Sequence, residues 1–210
     1  MKNFTVIAFG AAVLLLAGSC GGNKKPGVLD AVTNAKDLSD KVADAQKSSQ
    51  SKWDERKAKG DTMAMSYTDL EGYLPDISGY TKNGSPKGSQ MNMPGMGSFS
   101  TAEQEYTNGD KNIKVSIVDY NAAYQAFVGA TAVFKMGYSM EDDSKKQGSV
   151  DLGVKDVVAY QTIYKTNPQG DLALIAGDRF LIEINSHGSN DADLLSSIAK
   201  GMKLGDLASK

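Results

Sequence analysis

"DLALIAGDRFLIEIN", Asp171 to Asn185, decides the fold class. Gly177-Asp178 divides it into two apolar runs, and both residue types tolerate the positive φ that a tight hairpin demands. Downstream of the turn, Phe180, Ile182 and Ile184 fall on one face of a strand, and Leu181 and Glu183 on the other. The stretch therefore predicts two antiparallel strands packed on a core.

The same logic extends outward. Thr107 to Asp110 is a second hairpin turn with an Asn-Gly signal. Phe99 to Tyr106 reads as the strand before it. Ile113, Val115 and Ile117 alternate with Lys114 and Ser116 after it, the pattern of a half-buried strand. Val154 to Lys165 is a run of strong β-formers, closed by the turn Asn167 to Gly170. Residues 106–119 and 164–178 echo each other. Turn chemistry alone generates such look-alikes, and an internal duplication is the alternative.

Two helices complete this part. Tyr124 to Tyr138 carries Phe127, Ala130, Thr131, Phe134 and Tyr138 on one face. The last helix opens at Asn190 as N-cap, with Asp193 three residues on and Leu194, Leu195, Ile198 and Met202 as its apolar stripe. Leu207 follows in a tail that either tucks in or frays. Glu141 to Gly148 reads as a charged loop, and Met63 to Gly97 as loop-rich with short strands allowed at either end, and with turn signals at Asn83-Gly84, Pro86 and Pro94-Gly95.

Val28 to Lys59 contains neither Gly nor Pro and predicts a long helix. Its apolar stripe (Val28, Val32, Ala35, Leu38, Val42, Ala45) fades into Ser48, Ser49 and Ser51 before Trp53. Ala and Ser at the later positions make a poor coiled-coil seam. A stalk whose first half, or Trp53, docks on the domain fits better. The expected fold class is α+β: an antiparallel β-sheet packed by two amphipathic helices, preceded by an N-terminal helical stalk.

Lys2 is the only charge before position 24, and Phe4 to Ala17 is nearly all apolar. At about 14 residues this run is shorter than the roughly 20 a spanning helix needs, and it has the shape of a secretory signal. Ala17-Gly18-Ser19 then leads to Cys20, the single cysteine. This end resembles the lipobox of bacterial lipoproteins. It departs from the family's pattern in having Ala17 where Leu is usual three residues before the Cys.

The resemblance implies cleavage before Cys20 and a covalent lipid on its sulfur, hence a membrane partner through that lipid. It also implies a location in the bacterial cell envelope. Gly21, where Asp would imply inner-membrane retention, favours the outer membrane. The alternative is an ordinary secretory signal followed by an incidental thiol. The chain then divides into a signal peptide (1–19), lipid anchor and linker (20–27), helical stalk (28–60) and α+β domain (61–210). The order of elements is weakly similar to PsbP-like α/β/α sandwiches. The "GDRFLIEI" hairpin followed by a capped helix is similar to uncharacterised exported bacterial domains. Neither similarity implies a reaction.

Charge separates stalk from domain. Residues 24–60 carry nine Lys/Arg and six Asp/Glu, and residues 61–210 thirteen and nineteen. A net −6 domain argues against nucleic acid as partner. No cysteine follows Cys20, no Gly-x-Ser-x-Gly elbow occurs, and neither a phosphate loop nor a dinucleotide fingerprint follows a strand. His187 is the single histidine. It reads as a strand–helix loop residue, or alternatively as a general base beside Asp191.

Met91, Met93 and Met96 fall within six residues. Thioethers at short spacing suit Cu(I) in an oxidising compartment; the same residues also suit irregular packing or partner contact. Tyr67, Tyr73 and Tyr80 in the loop-rich stretch suggest a contact surface, and equally the edge of a small core. The expected function is a non-enzymatic, lipid-anchored binding or accessory domain contacting an envelope protein, with no cofactor beyond the lipid. A Cu(I)-binding lipoprotein is the alternative.

Overall fold

The structure, a computed structural model, describes residues 28–93, 97–135, 137 and 139–210. The signal peptide, Cys20, the linker to residue 27, Met96 and Tyr138 lie outside the described residues. So do the side chains of the early stripe of the long helix.

One antiparallel sheet organises the chain. Its nine strands are β1 (Thr81–Lys82), β2 (Lys87–Met93), β3 (Gly97–Asn108), β4 (Lys111–Asp119), β5 (Met140–Glu141), β6 (Lys145–Val150), β7 (Val157–Tyr164), β8 (Gln169–Ala176) and β9 (Phe180–His187). They run in the order β1-β3-β4-β9-β8-β7-β6-β5, with β2 also on the outer edge of β3. Five helices accompany them among the described residues: α1 (Val28–Ala58), α2 (Tyr67–Glu71), α3 (Tyr124–Lys135), α4 (Ala192–Gly201) and α5 (Leu204–Ala208).

Both expected hairpins form. Gly109 and Asp110 link Asn108 to Lys111, with Gly109 at φ +57°. Gly177 (φ +62°) and Asp178 (φ +55°) form the β8–β9 turn, closed by the Arg179 amide donating to the Ala176 carbonyl at 3.2 Å. Positive φ at both central positions is the backbone requirement read from the sequence. The two echoing hairpins diverge afterwards: β4 leads into α3, whereas β8 turns directly into β9.

Strand parity builds the main core. Ala102 and Tyr106, Ile113, Val115 and Ile117, Phe180, Ile182 and Ile184, and Leu172 and Leu174 are buried on one face. Against them pack Leu70 of α2, Leu195, Ile198 and Ala199 of α4, and Leu204 and Leu207 of α5. The tail therefore tucks in: Leu207 is wholly buried.

The opposite face is covered by α3. Strand β4 ends beside β9, and the chain must next reach β5 at the far edge. That is five strand spacings, about 24 Å. The 12-residue α3 supplies about 18 Å of that crossing. It presses Phe127 against Tyr120 (centroids 6.0 Å) and Phe134 against Tyr160 (5.6 Å). The two amphipathic helices thus sit on opposite faces of the sheet.

Several expectations are corrected. Glu141 to Gly148 is not a loop but β5 and most of β6, and the loop-rich stretch contains α2, β1 and β2. These strands lie at the sheet edges. There, backbone pairing to a more apolar neighbour recruits sequences that alternation alone does not mark. Ala130 is exposed, because α3 is narrower in its contact than its apolar stripe implies. The last helix is capped by Asp191, whose carboxylate accepts from the Asp193 and Leu194 amides at 2.9 and 3.1 Å. Asn190 instead donates to the Tyr164 carbonyl at 3.0 Å.

The long helix docks through its polar half. Trp53 stacks on Tyr124 (5.6 Å) and donates from its indole to the Asn121 carbonyl at 3.0 Å. The Tyr124 hydroxyl donates to the Gln46 carbonyl, and Ser49 to Asp178. Arg56 is 8 % exposed. It donates to the Asn121 side chain at 2.8 Å and to the Gly177 and Asp178 carbonyls at 3.3 Å.

Behind these contacts lies a buried ion pair. Arg179 donates to both carboxylate oxygens of Asp119, at 2.9 and 2.7 Å, and to Asp61 at 2.8 Å. Asp119 also accepts from the Asn121 and Met65 amides. Removing one member of such a pair strands the other charge in the interior, at about 3–5 kcal/mol. Asp119→Ala is expected to lose that much unfolding free energy in urea titrations of the full chain. Lys82→Ala, which breaks a surface pair with Asp76, should lose less than about 1 kcal/mol.

Candidate functional site

Register turns the second face into a graded surface. Ser89, Thr101, Val118, Leu181, Ile175 and Val158 lie side by side across six strands. One step away comes Lys87, Glu103, Ser116, Glu183, Ala173 and Tyr160. The next row is Glu105, Lys114, Asn185, Asp171 and Thr162, and the last is Thr107, Asn112, His187 and Gln169. Paired residues of antiparallel strands share a face, so each row is a contiguous band. The apolar row lies toward the α3 end, and the polar rows lie beyond it.

The polar rows form an open groove of about 810 Å³, lined from Thr101 and Glu103 on β3 to Asp171 and Gln169 on β8. Lys114 is its one lysine, and its ammonium is 2.7 Å from Glu103. The Asn185 amide donates to Asp171 at 3.0 Å. Glu105 stands at the rim, 3.9 Å from Lys87. Glu103, Glu105, Asp171 and Glu183 against Lys114 give the groove an excess of negative charge.

Glu183 is the most perturbed carboxyl in the groove. Burial, and then the neighbouring Asp171 charge, push its pKa above the ordinary glutamate range, with Lys114 opposing. Burial also raises the Tyr164 hydroxyl, reinforced by Asp171. A low-dielectric carboxylate pair on one wall favours an incoming cation or amine, which would relieve the repulsion.

Of the residues singled out in the sequence, Met91 is half exposed on edge strand β2, paired with Phe99. Position 93 pairs with Gly97, and Met96 lies outside the described residues. Tyr67 is 39 % exposed. Tyr73 and Tyr80 instead pack against the main core, and the Tyr73 hydroxyl donates to Asp206 of α5. The three tyrosines therefore do not form one surface.

His187 is the last residue of β9 rather than a loop residue, and it lies at the groove's end. Asp191, considered as its partner, is engaged in capping α4. Among the described residues no group of three or more His, Cys, Asp or Glu side chains is set to hold a metal ion. Among them, too, no helix is long and apolar enough to cross a membrane.

The sequence alone does not bring Glu183 and Asp171 to Glu103 and Glu105; the register across β3, β4, β9 and β8 does. Sequence reasoning missed the Asp61–Asp119–Arg179 cluster altogether. A signal for that cluster was present: Ile113, Val115 and Ile117 extend in parity to Asp119, which places a carboxylate on the inward face.

The raised pKa of Glu183 makes folding bind a proton. Its contribution therefore falls as pH rises from the ordinary glutamate value through the raised one. Glu183→Gln is expected to unfold at higher urea than the wild type near neutral pH. The difference should vanish at pH values below the ordinary carboxylate range, where both states of the wild type are protonated. No family model matches this chain and no curated protein matches it, so the groove's own chemistry is the ground for a functional reading.

Proposed function

We propose that this protein is a lipid-anchored component of the bacterial envelope. In this reading Cys20 carries the lipid, and the domain binds a cationic segment of another envelope component without catalysing a reaction. The observation that carries the binding reading is the half-covered sheet. Helix α3 closes one end of the second face, and a groove with four carboxylates and one lysine stays open at the other. Rigid strands set these groups, so little ordering is needed on binding.

The helix α1 serves as the spacer. Its described contacts with the domain, from Gln46 to Arg56, lie in its C-terminal half. Trp53 and Arg56 fix this half of the helix to the domain.

The test is a crosslinked pull-down of the full-length protein from its own envelope. A charge-neutralised variant, Glu103→Gln with Glu105→Gln, is the control. Both side chains are partly exposed, so the variant should retain wild-type stability within about 1 kcal/mol. A stoichiometric partner that is lost in the variant is the expected result. The same partner recovered equally with both proteins would remove the groove from the reading. Cys20→Ser should move the protein from the membrane to the soluble fraction; retention in the membrane would remove the lipid anchor.

A further inference from the structure

Two Asn-Gly pairs occur in the chain, and the fold treats them differently. Asn108-Gly109 belongs to the β3–β4 turn. Asn108 is a strand residue paired with Lys111, so the ladder fixes its backbone. Asn83-Gly84 opens the link between β1 and β2, residues 83–86, which lies outside both strands. Asn83 and Gly84 are exposed. The Asn83 amide donates to the Glu105 carbonyl at 2.8 Å, which anchors the chain just before the pair. Beyond that point the hold is loose. The Asn83 and Gly84 carbonyls receive long contacts from the Gln104 side-chain amide, at 3.5 and 3.4 Å. Gly84 lies at φ +74°, and a Cβ there would meet nothing within 4 Å.

This is the setting in which an asparagine loses its side-chain amide. The backbone nitrogen of the next residue must reach the Asn side-chain carbon, which takes a rotation about the Asn Cα–C bond. A following glycine has no side chain to block the approach and tolerates the backbone that results. At Asn108 the same rotation would break the pairing with Lys111; at Asn83 it moves an unpaired link. Asn83 also stands at the rim of the groove. Its side-chain nitrogen donates to the Glu105 carboxylate at 3.4 Å, and Glu105 is the rim residue beside Lys87.

We infer that Asn83 is a site of spontaneous deamidation. The Gly84 backbone nitrogen bonds to the Asn83 side-chain carbon, and the bond from that carbon to the side-chain nitrogen breaks. That nitrogen leaves as ammonia, taking the Gly84 amide proton. Water then opens the five-membered imide to aspartate or isoaspartate. No electrons are gained or lost, and water is the one co-reactant. Either product sets a second carboxylate at the rim beside Glu105. The negative charge of the groove rises, and with it the pull on a cationic segment. That consequence rests on the groove reading proposed above; the modification itself does not.

The test keeps the full-length protein folded in mildly alkaline buffer, with a second sample held in urea. Both are followed by mass spectrometry of proteolytic fragments. In the folded chain the fragment holding Asn83 is expected to gain one mass unit about tenfold faster than the fragment holding Asn108, whose ring closure must first break a paired turn. In urea the two should convert at similar rates. Asn83→Gln, which would need a less favourable six-membered ring, should abolish the gain at position 83. Equal rates in the folded chain, a faster Asn108, or no conversion at Asn83 would each overturn the inference. Asn83→Asp, one of the two products, is then compared with the wild type for binding hexalysine at low salt, and should bind about two- to fivefold tighter. Unchanged binding would overturn the effect on the groove and leave the modification site standing. Hexalysine that binds neither protein would count against the groove reading instead.

Discussion

Arg179 and Asp119 form the contact on which the rest of the architecture rests. Asp119 ends β4, and Arg179 immediately precedes β9, whose first residue Phe180 pairs with Asp119. The pair is almost wholly buried, and each remaining donor or acceptor is spent on a different segment. Arg179 reaches Asp61 in the connection after α1, and Asp119 takes the amides of Met65 and Asn121. Asn121 in turn holds Arg56 and the carbonyls of Asp61 and Met63. Burying a guanidinium and a carboxylate is costly, and the cost is offset only because nearly every polar atom is satisfied. Burial and the nearby Arg179 charge lower the pKa of Arg56, a sign that the second cation is held against electrostatic resistance.

That arrangement explains why a predominantly polar helix segment docks at all. Ser49, Lys52 and Arg56 meet the Gly177–Asp178 turn and its neighbour Asp156 through hydrogen bonds and ion pairs rather than a wide apolar seam. The turn's left-handed backbone points its carbonyls outward, where Arg56 collects them. The hairpin is therefore both the centre of the sheet and the seat of the helix.

Coverage of the second face follows from connectivity. A single helix of 12 residues crosses it, and a single helix cannot cover a nine-stranded sheet. What α3 leaves bare is polar in each strand separately: Glu103 and Glu105, Lys114 and Ser116, Glu183 and Asn185. The surface is thus built to remain wet, and its carboxylates are held by backbone pairing close enough to influence one another. Its second boundary is the β2 edge, so groove and edge are parts of one continuous side of the molecule.

The sequence by itself determined the antiparallel sheet, the two hairpin turns and the buried stripe of α4. Each of these depends on local rules: period-two alternation, positive φ at Gly177 and Asp178, and helical spacing. It also carried Cys20 at the end of a short apolar run, the basis of the envelope reading. Tertiary structure alone decided three things. It set the register that aligns Glu103, Glu183 and Asp171 across strands far apart in the chain. It recruited the polar segments Lys87–Met93 and Lys145–Val150 as strands, because edge pairing is dictated by the neighbour's free backbone groups. It also brought Asp61, Asp119 and Arg179 together, since a buried charge is stable only where a distant segment supplies its counter-ion, and no local pattern names that partner.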